Sequence, residues 1–309
     1  MDRESFTRRE AIGLVAAGVV AGHLPQAARS ADNARMVTRR IPGTEEALPV
    51  IGMGSSNTFD VGGGAAEREP LREVLRIFTK AGGTVVDTSP MYGRSEEVLG
   101  DLFAELGMSP KIWLATKVWT RGREAGVEQI ADSMRKLRAD RLALLQIHNL
   151  LDWREHLPTL RGMKDAGKLR YTGITHYRAD AHADVERVLR AERFDWVQIN
   201  YSLAEREAER SLFPYCQEHG VAVLANRPFA DGALFDRARG KDLPPWAAEI
   251  GCKSWAQFFL RFAASHPAVT CVIPATAKPR HMQDNVAAGA TPLPDARQRT
   301  RMVEYFATL

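Results

Sequence analysis

The sequence has few cysteines and no apolar run of membrane-spanning length. Its three cysteines, Cys216, Cys252 and Cys271, are widely spaced, so we expect small buried thiols, with neither a Cys-based metal site nor a disulfide framework. The apolar stretch at residues 11–21 is shorter than the roughly 20 residues that a spanning helix needs. These absences argue against an integral membrane protein and against a zinc protein.

The sequence also lacks an excess of charge of one sign. It carries 42 Lys and Arg against 38 Asp and Glu, a net charge of +4 over 309 residues, which gives no support to nucleic-acid binding. With 45% hydrophobic and 26% charged residues, the composition is that of a globular protein with material for one large core.

A dinucleotide-binding glycine turn is missing as well. Gly62-Gly63-Gly64 lacks the G-x-G-x-x-G spacing and follows a polar loop, so we interpret it as a connection and not as a phosphate-binding turn. This absence disfavours an open doubly wound sheet, which typically begins with such a turn.

The N-terminal segment has the order of regions found in export signals. Paired arginines, a weakly apolar run and small residues follow one another over residues 7–30, and they resemble a twin-arginine signal, whose route exports folded proteins. We expect residues 1–30 to be a signal peptide read by the twin-arginine export machinery and cleaved after Ser30. Residues 31–309 would then form a periplasmic barrel without stable membrane insertion. The alternative is a short amphiphilic helix or a decayed signal on a cytoplasmic enzyme.

From residue 50 onward, short β-branched runs alternate with longer segments of helical period. This alternation is typical of repeated βα units around a parallel sheet. The eight predicted strands are Val50–Gly54, Thr84–Asp87, Ile112–Lys117, Leu142–His148, Tyr171–Thr175, Trp196–Asn200, Val221–Asn226 and Val269–Ile273. Eight such units indicate a single-domain α/β fold, a (β/α)8 TIM barrel.

The segments around these strands complete the predicted fold. Helices are expected at residues 70–81, 95–106, 127–137 and 254–266. Two additions to the barrel are expected, namely a hairpin over residues 35–49 at its lower end and an extra C-terminal helix over residues 295–306. The loops after the fourth and seventh strands look short, which predicts an open site.

Three of the predicted strands end on an ionisable residue. Apolar runs lead into Asp87, Lys117 and His148, and Tyr92 follows Asp87 by five residues. Singly, these side chains are explained by a turn cap, a surface ion pair, a core histidine and a packed aromatic. Because active sites of barrels lie at the carboxyl ends of the strands, the joint placement favours one site at the barrel mouth.

The four residue types suit the reduction of a carbonyl group. An alkoxide develops on oxygen as hydride reaches carbon, and a positioned acid must supply a proton. We predict that Tyr92 is this acid and that the Lys117 ammonium stabilises its phenolate. Asp87 would hold Lys117, while His148 would donate a hydrogen bond to the carbonyl oxygen.

These residues resemble the aldo-keto reductase family over nearly the whole mature chain. The stretch Val86–Gly93 resembles the family's Asp-to-Tyr motif, Ala115-Thr116-Lys117 its lysine strand and Gln146–Asn149 its histidine strand. The resemblance implies a TIM barrel that binds a nicotinamide cofactor in extended form and reduces an aldehyde or ketone. The cofactor it implies is NADP, with NAD as the alternative.

The resemblance also implies contacts to the nicotinamide. It places the carboxamide against Gln198 and against Thr175-His176, where the family commonly has Ser-Asn. Asn226 stands where many members carry a stacking Tyr. Together with Arg227 it would contact polar groups of cofactor or substrate, unless both belong to a solvated strand end.

Residues 273–281 resemble the family's 2′-phosphate segment, with Ala275 and His281 in place of the usual Lys and Arg. The candidate phosphate contacts that remain are the Thr276 hydroxyl and the cations Lys278 and Arg280. Asp284 and Asn285 stand where family members usually bind the adenine. The alternative for the two cations is that they are ordinary solvated charges.

Four residues after the second to fourth strands are expected to flank the mouth: Met91, Trp119, Asn149 and Trp153. They would form an apolar and aromatic wall for a small-molecule carbonyl substrate. Two other functions stay open. One is an exported barrel that keeps its nucleotide and recycles it between two substrates, and the other is a non-catalytic nucleotide-sensing subunit.

Overall fold

The computed structural model describes residues 36–290 and 292–309. The predicted signal peptide, residues 1–30, lies outside the described residues, and export stays a prediction. Within the described ranges, no helix combines the length and the hydropathy needed to cross a membrane.

A short antiparallel hairpin precedes the barrel. Its strands are β1 (Thr38–Arg40) and β2 (Ala47–Pro49). Gly43, in the turn between them, has a φ of +72°, which glycine adopts without steric cost. Ile41 and Leu48 are buried in one apolar cluster with Trp113 and Trp196, whose ring centroids lie 5.1 Å apart. The predicted hairpin is confirmed, and it covers the end of the barrel where the strands begin.

Eight parallel strands follow and close into a barrel. They are β3 (Met53–Gly54), β4 (Val85–Asp87), β5 (Trp113–Val118), β6 (Leu142–His148), β7 (Leu169–Thr175), β8 (Trp196–Asn200), β9 (Ala222–Asn226) and β10 (Val269–Val272). Each pairs with the next along the chain, and parallel bridges from Ile51 to Val272 and from Gly54 to Ala275 close the ring. The predicted (β/α)8 barrel is confirmed.

Helices alternate with the strands. They are α1 (Ala65–Lys80), α2 (Ser95–Glu105), α3 (Arg123–Lys136), α4 (Trp153–Asp165), α5 (His182–Ala191), α6 (Leu212–His219), α7 (Ala233–Arg237), α8 (Trp255–Ser265), α9 (Pro279–Ala288) and α10 (Ala296–Ala307). All four predicted helices are present. The expected C-terminal helix is α10, whose first turn is capped reciprocally by Asp295 and Gln298, so that backbone N–H groups without helical partners are satisfied.

One loop prediction is wrong. The connection after β6 is short, as expected, because α4 begins at Trp153. The connection after β9, the seventh strand of the barrel, runs instead from Arg227 to Ser254 and contains α7 and two 3₁₀ helices. Since α7 has only 5 residues, it is too short for a periodic apolar pattern to reveal it in the sequence.

Replacing Leu48 by Ala tests whether the hairpin is part of the barrel core. Leu48 is 3% exposed, and truncating a buried Leu typically costs about 2–5 kcal/mol. We expect a loss of that size in the free energy of unfolding, measured by urea denaturation. Val127→Ala is the control, since Val127 is 46% exposed and should change the value by no more than about 0.5 kcal/mol. Equal effects of the two substitutions would contradict the role of the hairpin.

Candidate active site

Backbone strain is concentrated in loops at the carboxyl ends of the barrel strands. Among the described residues, eight that are not glycine have a positive φ. Seven of these follow β3, β6 or β9: Asn57, Asn149, Leu150, Asp152, Arg227, Ala230 and Asp231. Each such conformation costs about 1–3 kcal/mol and tends to occur at functional sites. The strain therefore indicates that this end of the barrel carries the function.

A cavity of about 570 Å³ opens at the same end. Asp87, Tyr92 and His148 lie in its wall, and Lys117, which contacts Asp87, is fully buried. The structure thus brings together the four side chains that the sequence predicts to be catalytic. They come from β4, the loop after it, β5 and β6.

Lys117 and Asp87 form a buried ion pair. Lys117 Nζ donates hydrogen bonds to Asp87 Oδ2 at 2.6 Å and to the carbonyl oxygen of Thr88 at 2.8 Å, and it lies 5.0 Å from the centroid of the Tyr92 ring. Burial acts to lower the pKa of Lys117, but the opposing charge of Asp87 and the contact with Tyr92 outweigh it and raise the pKa. Lys117 is therefore an ammonium at neutral pH, placed beside the predicted acid.

The second oxygen of Asp87 is held by amides. Asp87 Oδ1 accepts from Gln146 Nε2 at 3.0 Å and from Gln198 Nε2 at 2.8 Å. Gln198 Nε2 also donates to Gln146 Oε1 at 3.1 Å, and Gln198 Oε1 accepts from Asn226 Nδ2 at 3.3 Å. Both N–H bonds of the Gln198 side-chain amide thus donate to Asp87 and Gln146 inside the barrel. Toward the cavity this side chain can offer only its amide oxygen, Oε1.

His148 is held in its neutral form. Burial, then the charge of Lys117 and the neighbouring His176, lower the pKa of His148 to about 3. The Trp119 ring meets the imidazole edge-on at a centroid distance of 6.2 Å, and the Tyr177 ring is stacked with it at 6.4 Å. A neutral imidazole carries one N–H, so His148 can donate a hydrogen bond to an oxygen in the cavity without adding a positive charge.

Several buried polar atoms around the cavity lack a hydrogen-bond partner in the part of the chain that the structure describes. They include Ser55 Oγ, Thr175 Oγ1, Asn226 Oδ1 and His148 Nδ1. Buried polar atoms are rarely left unpaired, and a nicotinamide carboxamide offers one acceptor and two donors. The Thr175 hydroxyl and the Asn226 amide oxygen complement these groups, so the residues present fit the nicotinamide that the family resemblance implies.

Two more predicted cofactor residues lie at the rim. His176 donates its backbone N–H to the carbonyl oxygen of Gln198 at 3.0 Å, and burial lowers the pKa of its imidazole. Arg227 lines the cavity. Its guanidinium donates to the carbonyl oxygen of Tyr177 at 3.3 Å and pairs with Asp231 at 3.0 Å. Arg227 therefore links the loops after β7 and β9, and part of its charge is already neutralised.

The predicted phosphate contacts stand at the start of α9. Thr276 is buried and its Oγ1 accepts the backbone N–H of Lys278 at 3.1 Å, while the side chains of Lys278 and Arg280 are exposed. Burial, then the charges of Arg280 and Lys278, lower the pKa of His281. His281 is thus no additional cation at neutral pH, which leaves two cations at this helix N-terminus.

The predicted adenine contacts are packed against the neighbouring helix. Asp284 accepts hydrogen bonds from Ser254 Oγ and from Gln257 Nε2, both at 2.6 Å. Asn285, next to it on α9, is 3% exposed. Asp284 therefore fixes α9 against the start of α8, in addition to any contact that it makes with a nucleotide.

The four predicted pocket residues are placed differently from one another. Met91 lines the cavity, and Trp119 reaches its edge through the contact with His148. Asn149 donates its backbone N–H to the carbonyl oxygen of Thr175 at 2.8 Å. Trp153 packs against the outer apolar core, where the Arg154 guanidinium lies 4.3 Å from its ring centroid. Met91 and Trp119 are therefore the better candidates for substrate contact.

Sequence reasoning missed several residues of the site. Tyr177 and Phe229 line the cavity from loops and Phe235 lines it from the five-residue helix α7, and neither a loop nor so short a helix has a periodic pattern that marks a position. Gln146, in the histidine strand, is a further residue of the site for which the sequence analysis predicts no role. Its signal was available, because side chains two residues apart in a strand point to the same side, and Gln146 stands two residues before His148.

Comparisons with known proteins agree on one family. The family model described as "Aldo/keto reductase family" matches residues 50–300. Methylglyoxal reductase YeaE of Escherichia coli (strain K12) is 28% identical over 247 residues, which cover 78% of this chain and 85% of that protein. The NADH-specific methylglyoxal reductase of the same organism is 26% identical over 251 residues, which cover 69% and 73%. A crystal structure of an aldo/keto reductase from Klebsiella pneumoniae, in complex with NADP and acetate, superposes with a TM-score of 0.73 at 26% identity and covers 89% of this chain and 95% of that one.

Because His148 is held neutral, we expect the folded protein to lose stability in acid. Its pKa is about 3 in the folded protein against an ordinary 6.5, so between these values only the unfolded chain binds the proton. The contribution of neutral His148 to the free energy of unfolding is therefore fully present above pH 6.5, and it is lost as the pH falls from 6.5 towards 3. From about pH 7 to about pH 4.5 we expect His148 to remove about 2 kcal/mol from the free energy of unfolding.

Urea denaturation of the parent and of His148→Gln at both pH values measures the part of this loss that is due to His148. The variant should lose about 2 kcal/mol less than the parent. His266, whose pKa is lowered to about 4 by burial and then by Arg299, has the same sign and is present in both proteins. Equal losses in parent and variant would show that His148 is not held neutral.

Proposed function

The chain belongs to the aldo/keto reductase family, and from that premise we propose that it reduces an aldehyde or ketone with NADPH, with Tyr92 as the general acid. One observation carries the proposal. The Lys117 ammonium, held by Asp87 at 2.6 Å, lies 5.0 Å from the centroid of the Tyr92 ring, and Tyr92 lines a cavity flanked by buried polar atoms that complement a nicotinamide.

The proposed chemistry divides the reaction between cofactor and protein. Bound NADPH supplies the hydride for the carbonyl carbon. Tyr92 donates its hydroxyl proton to the carbonyl oxygen as negative charge develops there. Lys117 stabilises the phenolate that remains, and Asp87 keeps the ammonium in place. His148 donates a hydrogen bond to the same oxygen and thereby orients the carbonyl group.

The proposed substrates are small carbonyl compounds. The two Escherichia coli relatives are named as methylglyoxal reductases, and this cavity has an apolar and aromatic wall that includes Met91, Tyr177 and Phe229. A wall of that kind, with a few polar groups converging on one point, suits a compact aldehyde whose oxygen reaches Tyr92 and His148. Methylglyoxal is therefore the first compound to test.

NADPH is proposed over NADH. The Klebsiella pneumoniae structure holds NADP, whereas one relative is named as NADH-specific, so the family alone does not decide. In this chain Lys278 and Arg280 are exposed at the N-terminus of α9. Two cations at a helix N-terminus attract a phosphate group, which favours the 2′-phosphorylated nucleotide.

Replacing Tyr92 by Phe tests the proposed acid. Removal of a general acid typically slows a reaction by about 10²- to 10⁴-fold, so we expect kcat for methylglyoxal reduction to fall within that range, while the Kd for NADPH stays close to that of the parent. Tyr171→Phe is the control, because the Tyr171 hydroxyl donates to Glu46 at 2.8 Å, near the closed end of the barrel. Reduction by Tyr92→Phe at the parent rate would refute the assignment of Tyr92 as the acid. A parent protein that binds NADPH but reduces no aldehyde or ketone would favour the non-catalytic nucleotide-sensing role.

The double substitution Lys278→Ala, Arg280→Ala tests the choice of nucleotide. Removing two exposed cations from a phosphate site should raise the KM for NADPH by about tenfold or more, since charge-assisted contacts contribute about 1 kcal/mol each. The KM for NADH should change little. The control removes two exposed cations elsewhere, in Lys80→Ala, Arg193→Ala. Equal changes in KM for the two nucleotides would contradict a 2′-phosphate contact.

A further inference from the structure

Gln146 is a buried amide in the interior of the barrel. It lies on β6 and is fully buried, and it shares the inner face of the strand with Leu144 and His148. In the sheet it stands opposite Lys117 on one side and Gly173 on the other. A buried polar side chain costs stability unless its hydrogen bonds are made, so its partners indicate its role.

Those partners are the groups that hold Asp87. Gln146 Nε2 donates to Asp87 Oδ1 at 3.0 Å, and Gln146 Oε1 accepts from Gln198 Nε2 at 3.1 Å. Gln198 Nε2 in turn donates to the same Asp87 oxygen at 2.8 Å. The three side chains form a closed triangle around Oδ1, while Lys117 takes Oδ2. Without Gln146, Asp87 Oδ1 keeps a single donor, Gln198 Nε2, and that amide loses its acceptor on Gln146.

The opposite strand makes room for this amide. A Cβ atom at Gly173 would lie 3.2 Å from Gln146 Cγ and 3.1 Å from Leu144 Cδ1, closer than ordinary van der Waals contact. The same Cβ atom would lie 3.2 Å from the backbone carbonyl oxygen of Trp196. Gly173 is in the regular strand β7, so glycine is favoured there by space and not by its conformational freedom. Two strands therefore fit together here: β6 carries Gln146, and the glycine on β7 leaves space for its side chain.

We propose that Gln146 is a positioning residue for carbonyl reduction. It does not reach the cavity. It holds the Asp87 carboxylate, and through Asp87 it keeps the Lys117 ammonium at the distance from Tyr92 at which proton donation is supported. It also orients the side chain of Gln198, so that the side-chain oxygen Oε1 of Gln198 faces Asn226. This inference rests on the proposed function, because its effect on rate requires Tyr92 to act as the acid.

Two substitutions of similar size separate the hydrogen bond from packing. Gln146→Leu keeps most of the volume but removes the donor to Asp87, and we expect kcat to fall about 10- to 100-fold, as for a lost hydrogen bond to a charged group. The KM for NADPH should change by less than about threefold, because, among the described residues, Gln198 is the only predicted nucleotide contact to which Gln146 is hydrogen-bonded. A fall in kcat without a matching rise in KM marks a loss at the transition state.

Gln146→Glu adds a pH signature that packing alone would not give. Above the pKa of the introduced carboxyl group, its carboxylate lies against Asp87 Oδ1, and the two negative charges repel each other. Below that pKa the carboxyl group is protonated and can donate a hydrogen bond to Asp87, as the amide does. The ratio of variant to parent kcat should therefore rise as the pH is lowered. A ratio independent of pH would contradict the proposal.

Gly173→Ala brings a methyl group against Leu144, Gln146 and the Trp196 carbonyl oxygen while it keeps the Gln146 amide, and we expect a fall in kcat smaller than that of Gln146→Leu. Tyr171→Phe serves again as the control, and thermal unfolding verifies that each variant is folded. A crystal structure of Gln146→Leu should show the Lys117 and Asp87 side chains displaced relative to Tyr92.

The outcomes separate the two hypotheses. If the parent reduces aldehydes and Gln146→Leu retains its kcat, the inference on Gln146 is wrong and the proposed function stands. If the parent binds NADPH but reduces no aldehyde or ketone, the proposed function is wrong and the inference on Gln146 fails with it. If the parent is active, unchanged positions of Lys117 and Asp87 in the crystal structure of Gln146→Leu would overturn the inference alone.

Discussion

The ammonium of Lys117 lies inside a barrel of apolar strands, and the rest of the site is arranged around it. A buried charge is tolerated only when it is paired and hydrogen-bonded. Asp87 supplies the opposite charge, the Thr88 carbonyl group supplies a second acceptor, and two glutamine amides hold the far oxygen of the carboxylate. This network fixes a positive charge next to Tyr92 without contact with solvent.

The two ends of the barrel serve this network in different ways. At the end where the strands begin, Trp113, Tyr171 and Trp196 pack together beneath the hairpin, which excludes water from below. At the other end, long loops and residues with positive φ shape a cavity that is open to a ligand. The low dielectric constant below the site strengthens the Lys117 to Asp87 pair, and the open mouth lets substrate and nucleotide reach it.

The fold and the four central residues could be predicted from the sequence because both depend on regular strands. Periodicity located the eight strands, and ionisable residues at three strand ends then marked the mouth. Tyr177, Phe229 and Phe235 could not be found in this way, since they lie in loops or in the short helix α7, whose course depends on tertiary packing. The prediction of a short connection after β9 is wrong for the same reason, because α7 and the two 3₁₀ helices are too short to leave a periodic signal.

Gln146 was missed for a different reason. Its position in the strand was predicted correctly, but an amide carries no charge that would mark it in the sequence, and its partners are seen only in the structure, through the distances to Asp87 and Gln198. The cofactor positions follow from the family resemblance and not from periodicity. Asn226, Ala275 and His281 differ from the residues that this resemblance implies at their positions.

The central claim is that this cavity holds a nicotinamide nucleotide and passes its hydride to a carbonyl compound. The most direct test is a single-turnover experiment, in which the protein with NADPH already bound is mixed with excess methylglyoxal and the absorbance of the reduced nicotinamide is followed. We predict a decay that consumes one equivalent of NADPH per protein chain. Bound NADPH that stays reduced with methylglyoxal and with a panel of other aldehydes and ketones would contradict the claim.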